Sequence, residues 1–225
     1  MTASRLRLVV AAVLTVAVVL VVGVAIGRLT SPTPVVPGTD SVEAGFSRDM
    51  QVHHEQAVEM SMTVRDLTDD PAVRTMAYDI ATAQAQQAGQ MYAWLQVWGV
   101  PQAPSEPSMT WMTRPTLDAA FAGHDHEATG EPAGGASTAP THRPGDPMPG
   151  LASADDLRRL AALDGVEAER LWLELMIAHH QGGVEMAEAV LARSRDREVL
   201  AFATGVVTTQ ESEITAMEQM LADRR

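Results

Sequence analysis

Cysteine is absent from this 225-residue chain. Disulfide scaffolds, Cys-ligated zinc, iron–sulfur clusters and thiol catalysis are therefore excluded. Aromatic residues are scarce, 4% against 46% hydrophobic residues overall, so any core is built from Ala, Val, Leu and Met. Positive charge is outnumbered, with 16 Lys and Arg facing 29 Asp and Glu, for a net charge of −13 and a pI near 4.8. Such a surface does not suit nucleic-acid phosphates. It also repels anionic lipid headgroups, so membrane contact has to come from an inserted segment. Cations, metal ions included, are attracted. Neither a Gly-rich phosphate loop nor a Ser or Cys nucleophile constellation is visible, and nothing in the sequence assigns catalysis.

One segment is apolar without interruption. Arg5 and Arg7 precede an uncharged stretch from Leu8 to Gly27, and Arg28 follows it. At ~1.5 Å per residue, that stretch as a helix reaches roughly 30 Å, enough to cross a bilayer core. Residues 1–29 read as a single-pass transmembrane anchor, with Arg5 and Arg7 favouring an N-inside orientation and the C-terminal domain extracytoplasmic. The alternative is a secretory signal cleaved near Ala25 and Gly27, giving a secreted product. Residues 30–39 form a Pro-rich spacer.

Helical periodicity dominates the remainder. A first helix starts near Asp40, with Glu43 at capping-box spacing, and runs to about Leu67. Asp70 suits the N-cap and Pro71 the first position of a second helix, which Gly99 and Pro101 stop. These two form a hairpin over 40–99. Residues 100–152 are rich in Pro, Gly, Ser and Thr and read as a long linker, either a functional loop or a disordered insert, with a helical turn near Thr116–Phe121. Over 153–225, Ser153 and Asp156 cap a short helix, Asp164-Gly165 breaks it, and a second hairpin follows with Asp196 capping its last helix.

The two hairpins are copies. A shift of 126 residues places Met50 on Met176, His53-His54 on His179-His180, Val58-Glu59-Met60 on Val184-Glu185-Met186, Asp70 on Asp196, Gln84 on Gln210 and Met91 on Met217, without a gap. Two such hairpins bury their apolar stripes against each other. The expected fold is all-α, a four-helix bundle with approximate internal two-fold symmetry.

Met50, His53, Ala57, Met60 and Val64 alternate spacings of three and four and share one helical stripe, as do Met176, His179, Gly183, Met186 and Val190. His53 and His179 thus face the core. His54 and His180 are turned about 100° toward the interface edge, and each Met lies within reach of either His after it. Bundle interiors often hold metals through Glu-x-x-His. Here Met-x-x-His takes its place, twice, and thioether with imidazole suits copper, especially Cu(I). The candidate ligands are His53, His54, His179, His180, Met50, Met60, Met176 and Met186. The competing reading makes the Met side chains core filler and the His side chains packing residues, hydrogen-bonded by Glu59, Glu185, Gln84 or Gln210. A second candidate site lies in the linker, where His124, Asp125, His126, His142, Met109, Met112 and Met148 offer loose copper capture or are simply a polar insert.

Met50-Gln51-Val52-His53-His54 through Glu59-Met60, and Met176-Ile177-Ala178-His179-His180-Gln181 through Glu185-Met186-Ala187, resemble the DUF305 family. Gln210-Glu211-Ser212-Glu213-Ile214 with Met217, and Gln84 with Met91, Trp94 and Leu95, fit as well. The resemblance implies a ferritin-like bundle, and some similar exported bacterial proteins bind copper. Two departures, Gln87 for Glu213 and Glu55 for Gln181, make the half-sites unequal. Three functions follow as expectations: extracytoplasmic copper buffering or trafficking, a metal-free surface interaction module, or a ferritin-like metal oxidoreductase. The last needs inward carboxylates, and Glu59 and Glu185 only flank the stripe.

Overall fold

The computed structural model describes residues 3–30, 36–122 and 142–224. The chain divides into two units, Met1–Val36 and Pro37–Arg225. The first is one helix, α1 (Ala3–Thr30), long and apolar enough from Ala3 to Arg28 to cross a membrane. Its Leu, Val and Ile side chains from Leu8 to Ile26 are exposed within the unit. Thr15 satisfies its hydroxyl inside the helix, donating to Ala11 O at 2.9 Å, so the one polar side chain in this stretch carries no unmet hydrogen bond.

The second unit is built of helices joined by irregular segments, with no strand among the described residues. α2 (Val42–Leu67) and α3 (Pro71–Trp98) form one hairpin, and α6 (Gly165–Leu191) and α7 (Arg197–Ala222) form the other. Between them lie the short α4 (Leu117–Ala122) and α5 (Ala154–Ala161). The helix ends follow from local chemistry. The Asp70 carboxylate accepts from the N–H groups of Ala72 and Val73, and its repeat-equivalent Asp196 accepts from those of Glu198 and Val199. Gly99 closes α3 in the left-handed conformation at φ +69°. Ser153 and Asp156 make a reciprocal capping box. One cap differs from the sequence expectation: Ser41, not Asp40, is the N-cap of α2, its hydroxyl accepting from Ala44 N at 3.1 Å. Asp40 is engaged instead by the Ser105 hydroxyl, a partner 65 residues away.

The hairpins meet through α2 and α6. Two apolar clusters result, each drawing on all four long helices. One holds Phe46, Met50, Met91, Trp94, Met186, Val190, Val199 and Val206. The other holds Met60, Val64, Val73, Ile80, Trp172, Met176 and Met217. Burying the apolar stripe this way stabilises helices of low individual stability.

The Pro- and Gly-rich stretch is docked on the helices wherever it is described. Arg48 donates to Pro101 O and Thr39 O, and the buried Asp49 carboxylate accepts from Met109 N and Trp111 Nε1, both at 2.8 Å. Trp111, in a 3-10 turn over Thr110–Thr113, packs edge-on to Phe46 and over Gly45, where a Cβ would lie 2.6 Å from the Trp side chain. Leu117 N and Arg193 Nε then bind Ala192 O and Arg114 O, pinning the segment to the end of α6. Its irregular backbone is therefore hydrogen-bonded structure.

Candidate metal centre

The facing stripes of α2 and α6 bring both His-His pairs into the interior, and all four imidazoles are 0% exposed. His53 and His179 lie face to face, ring centroids 3.8 Å apart and planes inclined by 35°. His53 Nε2 donates to Pro149 O at 3.0 Å, and His179 Nε2 donates to His53 O at 2.8 Å. His54 and His180 turn toward their own hairpin partners and are as deeply buried as the inner pair, deeper than an interface edge. His180 Nε2 donates to Glu213 Oε2 on α7 at 2.9 Å. His54 faces Gln87, the equivalent position on α3, and neither of its ring nitrogens makes a hydrogen bond of ordinary geometry.

These bonds fix the tautomers. Carbonyl and carboxylate oxygens only accept, so Nε2 carries the proton in His53, His179 and His180. Nδ1 of each then presents a bare lone pair, and in all three it is buried without a partner. Buried polar atoms are nearly always hydrogen-bonded, so these nitrogens are free to accept from a water or bind a ligand. An imidazole whose N–H is held by a carbonyl or carboxylate while its other nitrogen stands free is also the usual arrangement of a metal-binding His. Gln84 and Gln210 are likewise buried, and neither amide atom of either has a partner. Gly183 makes room for Gln210, since a Cβ there would lie 2.4 Å from Gln210 Oε1. Of the four side chains expected to satisfy the imidazoles, none does; Glu59 and Glu185 are exposed.

The four stripe methionines are 0% exposed and separate into two pairs. Met50 shares a cluster with Met186, and Met60 shares the other with Met176. Each pair takes one residue from each hairpin. Ten residues of helix, ~15 Å, separate Met50 from Met60, so the eight candidate residues cannot surround one ion. The methionines divide into Met50 with Met186 and Met60 with Met176, while the inner rings His53 and His179 stack on each other. Among the described residues no three His, Asp or Glu side chains are grouped to hold a metal by themselves. A donor set of three or more groups there would need thioethers as well.

Pro149 to Ala152 closes the layer from outside. Gln56 grips Ala152 through two hydrogen bonds, Nε2 to Ala152 O at 2.9 Å and Ala152 N to Oε1 at 2.7 Å. A Cβ on Gly182 would lie 2.0 Å from Pro149 O, and one on Gly150 (φ +72°) 2.2 Å from Ala178 O. Sequence reasoning missed this strap. Its signal was the Gly182-Gly183 pair inside a helix, where each Gly costs about 1 kcal/mol relative to Ala and so implies a close approach.

Among the described residues, the linker methionines are not exposed. Met109 and Met112 are core residues packed with Phe46 and Met50, and Met148 packs partly buried against them. Their side chains fill the space that the sparse aromatic content leaves. His142 Nε2 meets Glu185 Oε1 at 2.6 Å. His124, Asp125 and His126 lie outside the described residues.

Burial favours the neutral form of His53, His54 and His179. It lowers His53 from the ordinary 6.5 to about 4 and His54 to about 3, the latter helped by the neighbouring His53, and it takes His179 well below 6.5. The unfolded chain therefore binds more protons than the folded one below pH ~6.5. Stability of the metal-free protein is full above that pH and falls as pH drops toward 4, by roughly 1.4 kcal/mol per pH unit for each imidazole. Urea unfolding at pH 7.5, 6.0 and 5.0 checks this; a flat profile would contradict it.

Residues 43–221 match the family described as a domain of unknown function, DUF305. The chain is similar to a solved DUF305 structure from Streptomyces coelicolor, whose description carries a secreted-protein designation. Identity is 43%, TM-score 0.67, with 83% of this chain and 96% of that one covered. A DUF305 fragment from Deinococcus radiodurans is 30% identical, TM-score 0.59, over 83% of this chain and 99% of that one. CopM in its Cu(I)-bound form shares the fold at 21% identity, TM-score 0.54, over 81% of this chain and 96% of that one. Comparison with curated proteins gave no match.

Proposed function

The chain belongs to the DUF305 family, and on that premise we propose that it is an extracytoplasmic metal-binding protein whose cargo is copper. In this reading it buffers or passes on Cu(I) through His53, His54, His179, His180, Met50, Met60, Met176 and Met186, inside a ferritin-like four-helix bundle. The observation that carries the reading is the buried layer of imidazole nitrogens with no partner, three of them oriented by a hydrogen bond on the opposite side of the ring. Neutral imidazole and thioether form a donor set suited to a soft, univalent ion. CopM, of the same fold, has been solved with Cu(I), Cu(II) and silver bound, which supports copper as the cargo. An apolar α1 supports delivery across a membrane, as a single-pass anchor or as a cleaved signal. The Streptomyces relative's designation supports the same compartment.

A second reading has an observation of its own. The bonds from His53 to Pro149 O and from His179 to His53 O are those of structural histidines joining loop to helix. Thermal unfolding separates the two. An ion that binds only the folded state at 100 times its dissociation constant adds about 2.7 kcal/mol. Anaerobic addition of Cu(I) is expected to raise Tm by several degrees. A Tm indifferent to Cu(I) favours the metal-free interaction module.

A further inference from the structure

The two halves repeat each other in Met50 and Met176, His53 and His179, and Gln84 and Gln210, but not beside the outer imidazoles. In the second half, His180 Nε2 donates to the Glu213 carboxylate, whose side chain is 20% exposed. In the first half, the matching neighbour of His54 is the neutral Gln87 amide, and no carboxylate among the described residues hydrogen-bonds either nitrogen of His54. A univalent cation moved from water into a ring of neutral donors carries a large desolvation cost. A carboxylate reached through one ligand's N–H offsets that cost and enriches the lone pair on the opposite nitrogen. Glu55, which stands where the second half has Gln181, is exposed on α2 and screened by solvent, and the buried Asp49, which stands where the second half has Leu175, is engaged by Met109 N and Trp111 Nε1.

We infer that Glu213 is a positioning residue that makes the His179/His180 half the tight cation site, filled first, while Gln87 leaves the His53/His54 half as a weaker site filled second. This inference rests on the metal-binding reading above and adds to it an order of loading. One tight site retains an ion at low supply. The weaker site gives it up readily, as a buffer or a donor to a partner requires.

The test uses Ag(I), a univalent ion without redox chemistry, titrated into the full chain in detergent. Binding is followed calorimetrically and by ring ¹⁵N signals of labelled histidines. Two affinities differing by roughly 10–100-fold are expected, the usual range for a hydrogen-bonding partner of a ligand. The His180 ring responds with the first equivalent and the His54 ring with the second. Glu213→Gln lowers the tight affinity to that of the weak site. Gln87→Glu raises the weak affinity toward the tight one, a gain that a merely structural carboxylate would not produce. Loading of His54 first, a single ion shared equally by the four rings, or affinities unmoved by both near-isosteric variants would overturn the inference and leave copper binding standing. Absence of any Ag(I) binding would remove both.

Discussion

Replacing His53 and His179 together with Ala lowers Cu(I) affinity by roughly 100-fold or more, beyond the effect of losing a neighbour of a ligand. These two rings form the centre of the buried layer, 3.8 Å apart, each with one nitrogen held by a carbonyl and the other free. Removing them takes one imidazole from each half-site, so neither half compensates for the other. The double variant also frees Pro149 O and opens a cavity beside it, and some loss of stability accompanies the loss of binding. Met50→Leu with Met176→Leu avoids that confusion. Leu keeps the volume of Met at a cost below about 1.5 kcal/mol but removes the thioether. Competition with a chromogenic Cu(I) chelator measures both variants. Reduced affinity in the folded Met variant and near-complete loss in the His variant are expected. A folded His variant that competes as well as wild type would remove copper from this layer.

Trp111→Ala destabilises the second unit by about 3–5 kcal/mol, the range for truncating a buried aromatic. Trp111 is 2% exposed although it sits in a Pro-rich segment. Its ring packs edge-on to Phe46 at 5.6 Å, lies over Gly45, and donates Nε1–H to Asp49. Truncation empties that space and leaves the Asp49 carboxylate, already pushed up by burial, with Met109 N as its remaining hydrogen bond. Trp111→Phe keeps most of the packing and loses only the hydrogen bond, so it costs on the order of 1–2 kcal/mol. For a unit of this size the Ala variant lowers Tm by about 10 °C. A change under 2 °C would show that the segment does not hold the fold.

What the sequence made legible was local or repeated. Asp70-Pro71, Asp196, Gly99 and the Ser153–Asp156 box mark helix ends because each acts on backbone groups within four residues. The 126-residue repeat placed both His pairs on equivalent stripes, and the stripes turned out buried. What was not legible depends on distant contacts. Asp40 bonds Ser105, 65 residues away, while Ser41 takes the N-cap. Pro149 reaches His53 across 96 positions, and only the Gly182-Gly183 pair hinted at it. Met109, Met112 and Trp111 looked like loop residues because composition around them is Pro-rich, yet they complete a core short of aromatics. The pairing of Met50 with Met186 and Met60 with Met176 comes from the antiparallel crossing of α2 and α6, which no single-helix stripe displays.

The central claim is that imidazole nitrogen and thioether sulfur from this buried layer together hold the ion. Copper K-edge absorption on the Cu(I)-loaded protein addresses it directly, because the two donor types scatter differently. The expected spectrum combines imidazole multiple scattering with a sulfur shell, and the sulfur shell weakens in the Met50→Leu, Met176→Leu variant loaded to one equivalent and disappears when Met60 and Met186 are replaced by Leu as well. A spectrum of light donors alone, unchanged by either the Met or the His replacements, would contradict it.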